Sequence, residues 1–289
     1  MVFHPPVAIV AKAGDAGKYK TSLPAWNMIL RGFMAGAYIA IGGALATVCS
    51  TGVSTFLGAG FAKLILGAVF PVGLIIIVLT GAELFTGDAM LAPMAAFIHK
   101  ISWASVINLW VWVYIGNLIG SIVYAYLMAV GPFTSWDAAG AGTATAFGLS
   151  AVNIAAGKVS YVGLAAQWSL FWKAIGCNWL VNLAILLGIC ADDLIGKFFG
   201  IWFPIMAFVS TGFEHCVANM YFIPAGIMTA PYLTPEQVAI VGAKLQSLNW
   251  VTMWTNNIIM VTIGNTIGGL LFVGVLYWVA FKKEIAALK

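Results

Sequence analysis

Six apolar stretches recur along the chain, near residues 27–50, 60–80, 103–130, 164–190, 196–229 and 251–281. Each is long enough to cross a hydrocarbon core, which takes roughly 20 residues of α-helix. Hydrophobic residues make up 62% of the 289 positions and charged residues only 8%, too little polar surface to coat a soluble globule. The bilayer is therefore the expected solvent, and the expected fold is an all-α membrane protein with six transmembrane helices. The fifth stretch is unusually long, and the second is followed by a further apolar run from Met90 to Ile98. Both regions have room for one additional helix.

The distribution of cations predicts the orientation, because Lys and Arg flanking membrane segments are retained on the cytoplasmic side. Lys12, Lys18, Lys20 and Arg31 precede or open the first stretch, and Lys282, Lys283 and Lys289 follow the last. Both termini are expected in the cytoplasm of a multi-pass cell-membrane protein, with Lys100 and Lys197 on inner connections. Lys63, Lys158 and Lys244 are expected outside, and Lys173 falls within the fourth helix. The net charge of +4 is a topology signal, not a nucleic-acid footprint, since the cations flank apolar segments and form no basic stripe. The segment from Pro5 to Lys20 mixes apolar and basic residues, which suits either a helix lying on the membrane surface or a disordered tail.

The two halves share short strings in the same order. Phe70-Pro71 followed by Thr80-Gly81-Ala82-Glu83 matches Phe203-Pro204 followed by Thr211-Gly212-Phe213-Glu214, and Ile115-Gly116-Asn117-Leu118-Ile119-Gly120 matches Ile263-Gly264-Asn265-Thr266-Ile267-Gly268. A weaker match pairs Arg31 with Lys173. A repeat of three helices is odd in number, so the second copy must enter the bilayer from the opposite face, as in many transporters whose interrupted helices meet near the midplane. The predicted organisation is one transporter domain: an N-terminal cytoplasmic segment over 1–25, a first repeat over 26–130, an outer connection over 131–163, a second repeat over 164–281 and a tail over 282–289. Glycine and ionisable residues cluster at Thr80 to Asp88 and at Ser210 to Asn219, so the second and fifth helices are expected to break there. Broken backbone at membrane depth is tolerated only where protein or a polar path satisfies it.

Of three histidines, only His215 lies within an apolar stretch. Placing an ionisable group there costs several kcal/mol on most scales and usually marks function; the competing reading is a histidine that hydrogen-bonds the broken backbone. Glu83 and Glu214 occupy equivalent positions and are expected first to accept hydrogen bonds from N–H groups freed by the breaks. Thr86 can donate to an anion or to His215, or cap a helix. Asn178 and Asn182, one turn apart, serve either a polar path or interhelical packing, and Asn117 and Asn265 read as packing residues. Cys49, Cys177, Cys190 and Cys216 fit no zinc or redox spacing, so neither a metal nor a cofactor is expected.

The string Gly81-Ala82-Glu83-Leu84-Phe85-Thr86 resembles the first-repeat loop motif of the formate/nitrite transporter family. Gly212-Phe213-Glu214-His215-Cys216-Val217-Ala218-Asn219-Met220 resembles its second-repeat motif around a central histidine. Asn178-Trp179-Leu180-Val181, Tyr114 to Gly120 and Val261 to Gly269 extend the resemblance over nearly the whole chain, with the methanogen formate-uptake branch the best match. The resemblance implies a homopentamer of aquaporin-like protomers, each with its own pore for formate or a similar small anion. By position, Phe70, Leu74 and Phe85 would form a cytoplasmic-side constriction, and Phe208 with Val181 an outer one. Thr86 and His215 would face each other between them, with Asn178 close by. Lys158 corresponds to a lysine that attracts anions in the outer vestibule, although it lies a few residues further from Asn178 than the family spacing.

In this reading His215 helps neutralise the anion, linking transport to protons, or else gates passage of the anion itself. Nitrite and hydrosulfide remain alternative substrates. An aquaporin-like channel for neutral solutes would call for Asn-Pro-Ala strings and a selectivity arginine, yet no Asn-Pro occurs and the single arginine, Arg31, opens the first helix. An enzyme is disfavoured because the chain carries no paired-histidine metal motif, nucleophile elbow or phosphate loop.

Overall fold

The computed structural model describes residues 3–287; Lys289, counted above among the terminal cations, lies outside them. Almost all of this chain is helical, as a bilayer requires of backbone groups that water cannot reach. Helix α1 (Pro6–Thr21) is followed by α2 (Ala25–Ser50), α3 (Val53–Val69), α4 (Val72–Thr80), α5 (Phe85–Phe97) and α6 (Trp103–Val130). A short antiparallel hairpin, β1 (Thr134–Trp136) and β2 (Gly142–Ala144), leads to α7 (Ala146–Lys158). Then come α8 (Leu164–Cys190), α9 (Leu194–Ser210), α10 (Cys216–Thr229), α11 (Pro235–Val241), α12 (Trp250–Met253), α13 (Ile259–Gly269) and α14 (Leu276–Ala287). The last three form one continuous helix, Trp250–Ala287, with π-helical turns at Trp254–Ile258 and Leu270–Val275.

Five helices are long and apolar enough to cross a membrane among the described residues: Ala25–Ser50, Val53–Thr80, Trp103–Val130, Leu164–Cys190 and Trp250–Ala287. The stretch expected as a fifth, broken crossing is divided at the expected place into α9, with 17 residues, and α10, with 14. The additional run from Met90 to Ile98 is not a separate crossing; most of it belongs to α5, a 13-residue half-helix nearly all of whose residues are buried.

Helix α2 packs along α6, and α8 along α13. The glycine-asparagine strings are what allow such close contact: a Cβ at Gly120 would fall 2.0 Å from the carbonyl oxygen of Phe33. The opposite face of α6 turns outward, with Trp103, Ile107, Val111, Ile115, Ile119 and Val123 exposed at four-residue spacing, an apolar stripe suited to lipid. Helix α1 is ordered and packs across α5, burying Val10, Ala13, Gly14 and Gly17. Neither alternative drawn from the sequence describes it, because its apolar face is covered by protein.

Candidate functional site

Two helix interruptions build the site, and their backbones match in conformation at the glycine that opens each and at the residue that caps the next helix. After α4, Gly81 adopts φ +76° and the chain runs extended to Leu84 (φ −116°, ψ 119°), which starts α5. After α9, Gly212 adopts φ +77° and the chain runs to His215 (φ −114°, ψ 119°), which starts α10. His215 thus takes the position that Leu84 holds in the other half.

Each interruption frees backbone groups, and leaving one buried and unpaired costs about 1–3 kcal/mol. The N–H of Glu83 donates to the carbonyl of Arg31 (3.2 Å), and that of Glu214 to the carbonyl of Lys173 (3.3 Å), so the weakly matched Arg31 and Lys173 make the same contact. Asn117 accepts from Phe85 N–H (2.9 Å) and donates to the carbonyls of Gly32 (2.8 Å) and Glu83 (2.9 Å). Asn265 accepts from Cys216 N–H (2.8 Å) and donates to the carbonyls of Ala174 (2.8 Å) and Glu214 (2.9 Å). Asn117 and Asn265 are therefore the residues that satisfy the breaks, beyond the packing duty read from sequence. The carboxylates expected in that role turn to side chains. Glu83 pairs with Lys20 and lies 3.8 Å from Arg31 Nη1, while Glu214 accepts from Lys158 Nζ (2.8 Å) and Asn219 Nδ2 (2.7 Å).

The N-termini of the two half-helices meet at Thr86 and His215. Thr86 is fully buried in the first turn of α5, and His215 is 3% exposed. His215 Nδ1 accepts from the N–H of Ala218 at 3.0 Å, capping α10. A neutral imidazole that accepts at Nδ1 carries its proton on Nε2, so Nε2–H donates to Thr86 Oγ1 at 2.9 Å. The Thr86 hydroxyl hydrogen then remains for another acceptor. Two helix N-termini converging in a buried site give a positive local potential, favourable to an anion.

Asn178 donates to the carbonyls of Thr86 (3.0 Å) and Asn265 (2.6 Å), and Asn182 to those of Thr86 (3.1 Å) and Asn178 (2.8 Å). Their donors hold the first turn of α5 in place and are spent on backbone, so Asn178 offers no free donor to a path.

Two cavities border the helix Val53–Thr80, the larger beside the end of α3 and Phe70 and the smaller beside α4. One, of about 450 Å³, is lined by Phe70, Phe208, His215, Glu214, Lys158 and Lys173; the other, of about 240 Å³, by Leu74, Leu84, Glu83, Asp88, Lys20 and Arg31. The grouping of Phe70 with Leu74 does not hold. Phe70 meets Phe208 edge to face, ring centroids 5.9 Å apart, and Phe208 stacks on the His215 ring, also at 5.9 Å. One helical turn, about 5.4 Å of rise, separates Phe70 from Leu74 and puts them in different cavities. Phe85 packs edge-on against Tyr114 (5.0 Å) and Trp110 (6.1 Å). Val181 is buried at 1% exposure but lines neither of these cavities, whereas Leu84, not singled out in the sequence, lines the smaller one together with Leu74. Lys158, the last residue of α7, lines the larger cavity.

Sequence reasoning also missed Asp88 and Asn219, five residues beyond Glu83 and Glu214. Asn219 joins Glu214 to Asn257 (2.7 Å to each), and Asp88 lies 3.2 Å from Lys20 Nζ. Their common offset from the paired glutamates is the signal that marks them. No group of three or more His, Cys, Asp or Glu suited to a metal occurs among the described residues.

Known proteins share this sequence and architecture. A probable formate transporter from Methanothermobacter thermautotrophicus is 44% identical over 284 residues, 96% of this chain and 97% of that one. A formate channel of Escherichia coli strain K12 is 34% identical over 283 residues, covering 96% and 95%. A solved pentameric formate channel with formate bound matches with a TM-score of 0.74 at 34% identity, covering 89% of this chain and 98% of that one. These relatives are channels and transporters, not enzymes, and the formate/nitrite transporter profile spans residues 7–279. The chain is thus a multi-pass membrane protein that belongs to the formate/nitrite transporter family.

Proposed function

We propose that this protein passes formate across the cell membrane, through a pore in each protomer that is controlled by His215 and Thr86. The observation that carries the reading is the 2.9 Å hydrogen bond between these residues where two half-helix N-termini meet. The matched backbone of the two interruptions supports an aquaporin-like protomer of two inverted three-helix repeats. The cation distribution of the sequence supports an orientation with both termini in the cytoplasm and the Lys158 cavity outside. The pentameric formate channel similar to this chain supports a homopentamer.

An anion entering from the Lys158 side meets Phe70 and Phe208, and beyond Thr86 it meets Leu74 and Leu84. Losing water in such apolar surroundings is very costly for a charge. Desolvation disfavours the ionised carboxylate and so raises its affinity for a proton; the hydroxyl of Thr86, held by Nε2–H of His215, orients the substrate while it takes up a proton from water on the side it entered. Direct proton donation by His215 would first require an imidazolium, whose Nδ1–H would oppose the N–H of Ala218 and break the cap. The proton therefore travels with the substrate, and transport is proton-linked.

The test is uptake of labelled formate into proteoliposomes, with and without an inward proton gradient, by wild type and His215→Ala. The reading expects gradient-stimulated uptake that the substitution abolishes. Full uptake by the variant would reduce His215 to a helix cap. Wild type that carries nitrite or hydrosulfide and no formate would replace the substrate.

A further inference from the structure

The larger cavity carries three lysines, Lys63, Lys158 and Lys173, against one carboxylate, Glu214. They are not equivalent. Lys158 is paired with Glu214 at 2.8 Å, and the Glu214 carboxylate is further held by Asn219 and by the hydroxyl of Tyr161 (3.4 Å), so the charge of Lys158 is spent locally. Lys173 Nζ has a different partner. It donates to the Tyr161 hydroxyl at 3.0 Å and lies 5.1 Å from the centre of that ring, and no carboxylate approaches it within 4.0 Å among the described residues. Lys63, exposed at the rim on α3, likewise has no ion-pair partner among them. The Tyr161 hydroxyl stands between Lys173 and Glu214, accepting from the first and donating to the second, so the two form no direct ion pair.

Arg31, whose carbonyl meets Glu83 N–H as that of Lys173 meets Glu214 N–H, lies beside the Glu83 carboxylate itself at 3.8 Å. In the smaller cavity two carboxylates, Glu83 and Asp88, lie among Lys20, Arg31 and Lys197. The larger cavity is left with an excess of two positive charges, three lysines less one glutamate. A half-buried ammonium with two unused N–H donors, set in a low-dielectric concavity, focuses potential on small anions.

We propose that Lys173, helped by Lys63, forms the anion-docking site of this mouth for small monocarboxylates, and that Lys158 serves chiefly to neutralise Glu214. The proposal rests on the transport reading above. An anion collected at Lys173 enters the cavity that ends at Phe208 and His215.

Lys173→Gln, Lys173→Arg and Lys158→Gln are compared with wild type for formate uptake into proteoliposomes at about 10 mM and about 150 mM salt, over which the screening length falls from about 30 to about 8 Å. The expected result is a rise in KM of about three- to tenfold for Lys173→Gln at low salt, with the maximal rate kept. The difference should shrink at high salt and vanish in Lys173→Arg. Line broadening of ¹³C-formate by detergent-solubilised protein reads docking without transport, and elution as a single assembled species controls for folding. Unchanged KM and unchanged broadening in Lys173→Gln would overturn the docking site and leave the transport reading intact, and so would a salt-dependent KM defect confined to Lys158→Gln. Broadening that needs Lys173 in a wild type that moves no formate would keep the docking site and discard the transport reading.

Discussion

Thr86 Oγ1 and His215 Nε2 lie 2.9 Å apart although 129 residues separate them along the chain, and each lies at the start of a half-helix whose first N–H is held by the asparagine of its own half, Asn117 or Asn265. The first prediction concerns this contact. Thr86→Val keeps the shape and removes the acceptor of Nε2–H, leaving a buried donor unpaired at a cost of about 1–3 kcal/mol. Formate uptake should fall by about one order of magnitude or more, while Thr86→Ser should retain most of it.

Asn117→Leu and Asn265→Leu each remove three hydrogen bonds from an interruption. Because the two asparagines make matching contacts, both variants should lose several degrees of thermal stability in detergent, and by similar amounts. A large loss in one and none in the other would break the equivalence of the two halves.

Lys158 and Glu214 form a partly buried ion pair. Removing one charge leaves the other desolvated, at about 3–5 kcal/mol for a fully buried case and less here. Glu214→Gln alone should therefore destabilise more than the double variant Glu214→Gln with Lys158→Met. Thermal unfolding of the four proteins completes the cycle, and strict additivity would show that the pair is not coupled.

Gly120→Ala should prevent α2 and α6 from closing, because its Cβ would sit 2.0 Å from a backbone oxygen of Phe33. Gly157→Ala in α7 meets nothing within 4 Å and should be neutral or stabilising by up to about 1 kcal/mol. Yield of folded protein after purification separates the two.

Asp88→Asn would give the α5 half the amide that Asn219 supplies to Glu214. It removes a fully buried carboxylate beside Glu83 and adds a donor toward it, so thermal stability should be kept or raised. A marked loss would show that Lys20 needs both carboxylates.

Much of this was legible in the residues. Apolar run lengths located the long helices, because a hydrocarbon core accepts little else. The strings around Glu83 and Glu214 located both interruptions, because glycine, ionisable and hydroxyl residues in an apolar run have no other inexpensive explanation. His215, Thr86, Lys158 and Phe208 were read onto one site, and they gather around it.

Tertiary structure decided how those residues are partnered. Asn117 and Asn265 looked like packing residues, and the amides of Asn178 looked available to a path, because one-dimensional spacing does not reveal which carbonyl a side chain meets. Phe70 was grouped with Leu74, yet the helical rise between them assigns each to a different cavity. Lys158, Lys173 and Lys63 are alike in sequence, and only the position of Tyr161 between Lys173 and Glu214 leaves one charge spent and another free. The sequence determined by itself which segments are apolar and where their polar exceptions fall, since burial in lipid is a property of composition. Hydrogen bonds and ion pairs join groups from distant segments at distances of about 3 Å, and only the folded chain selects them.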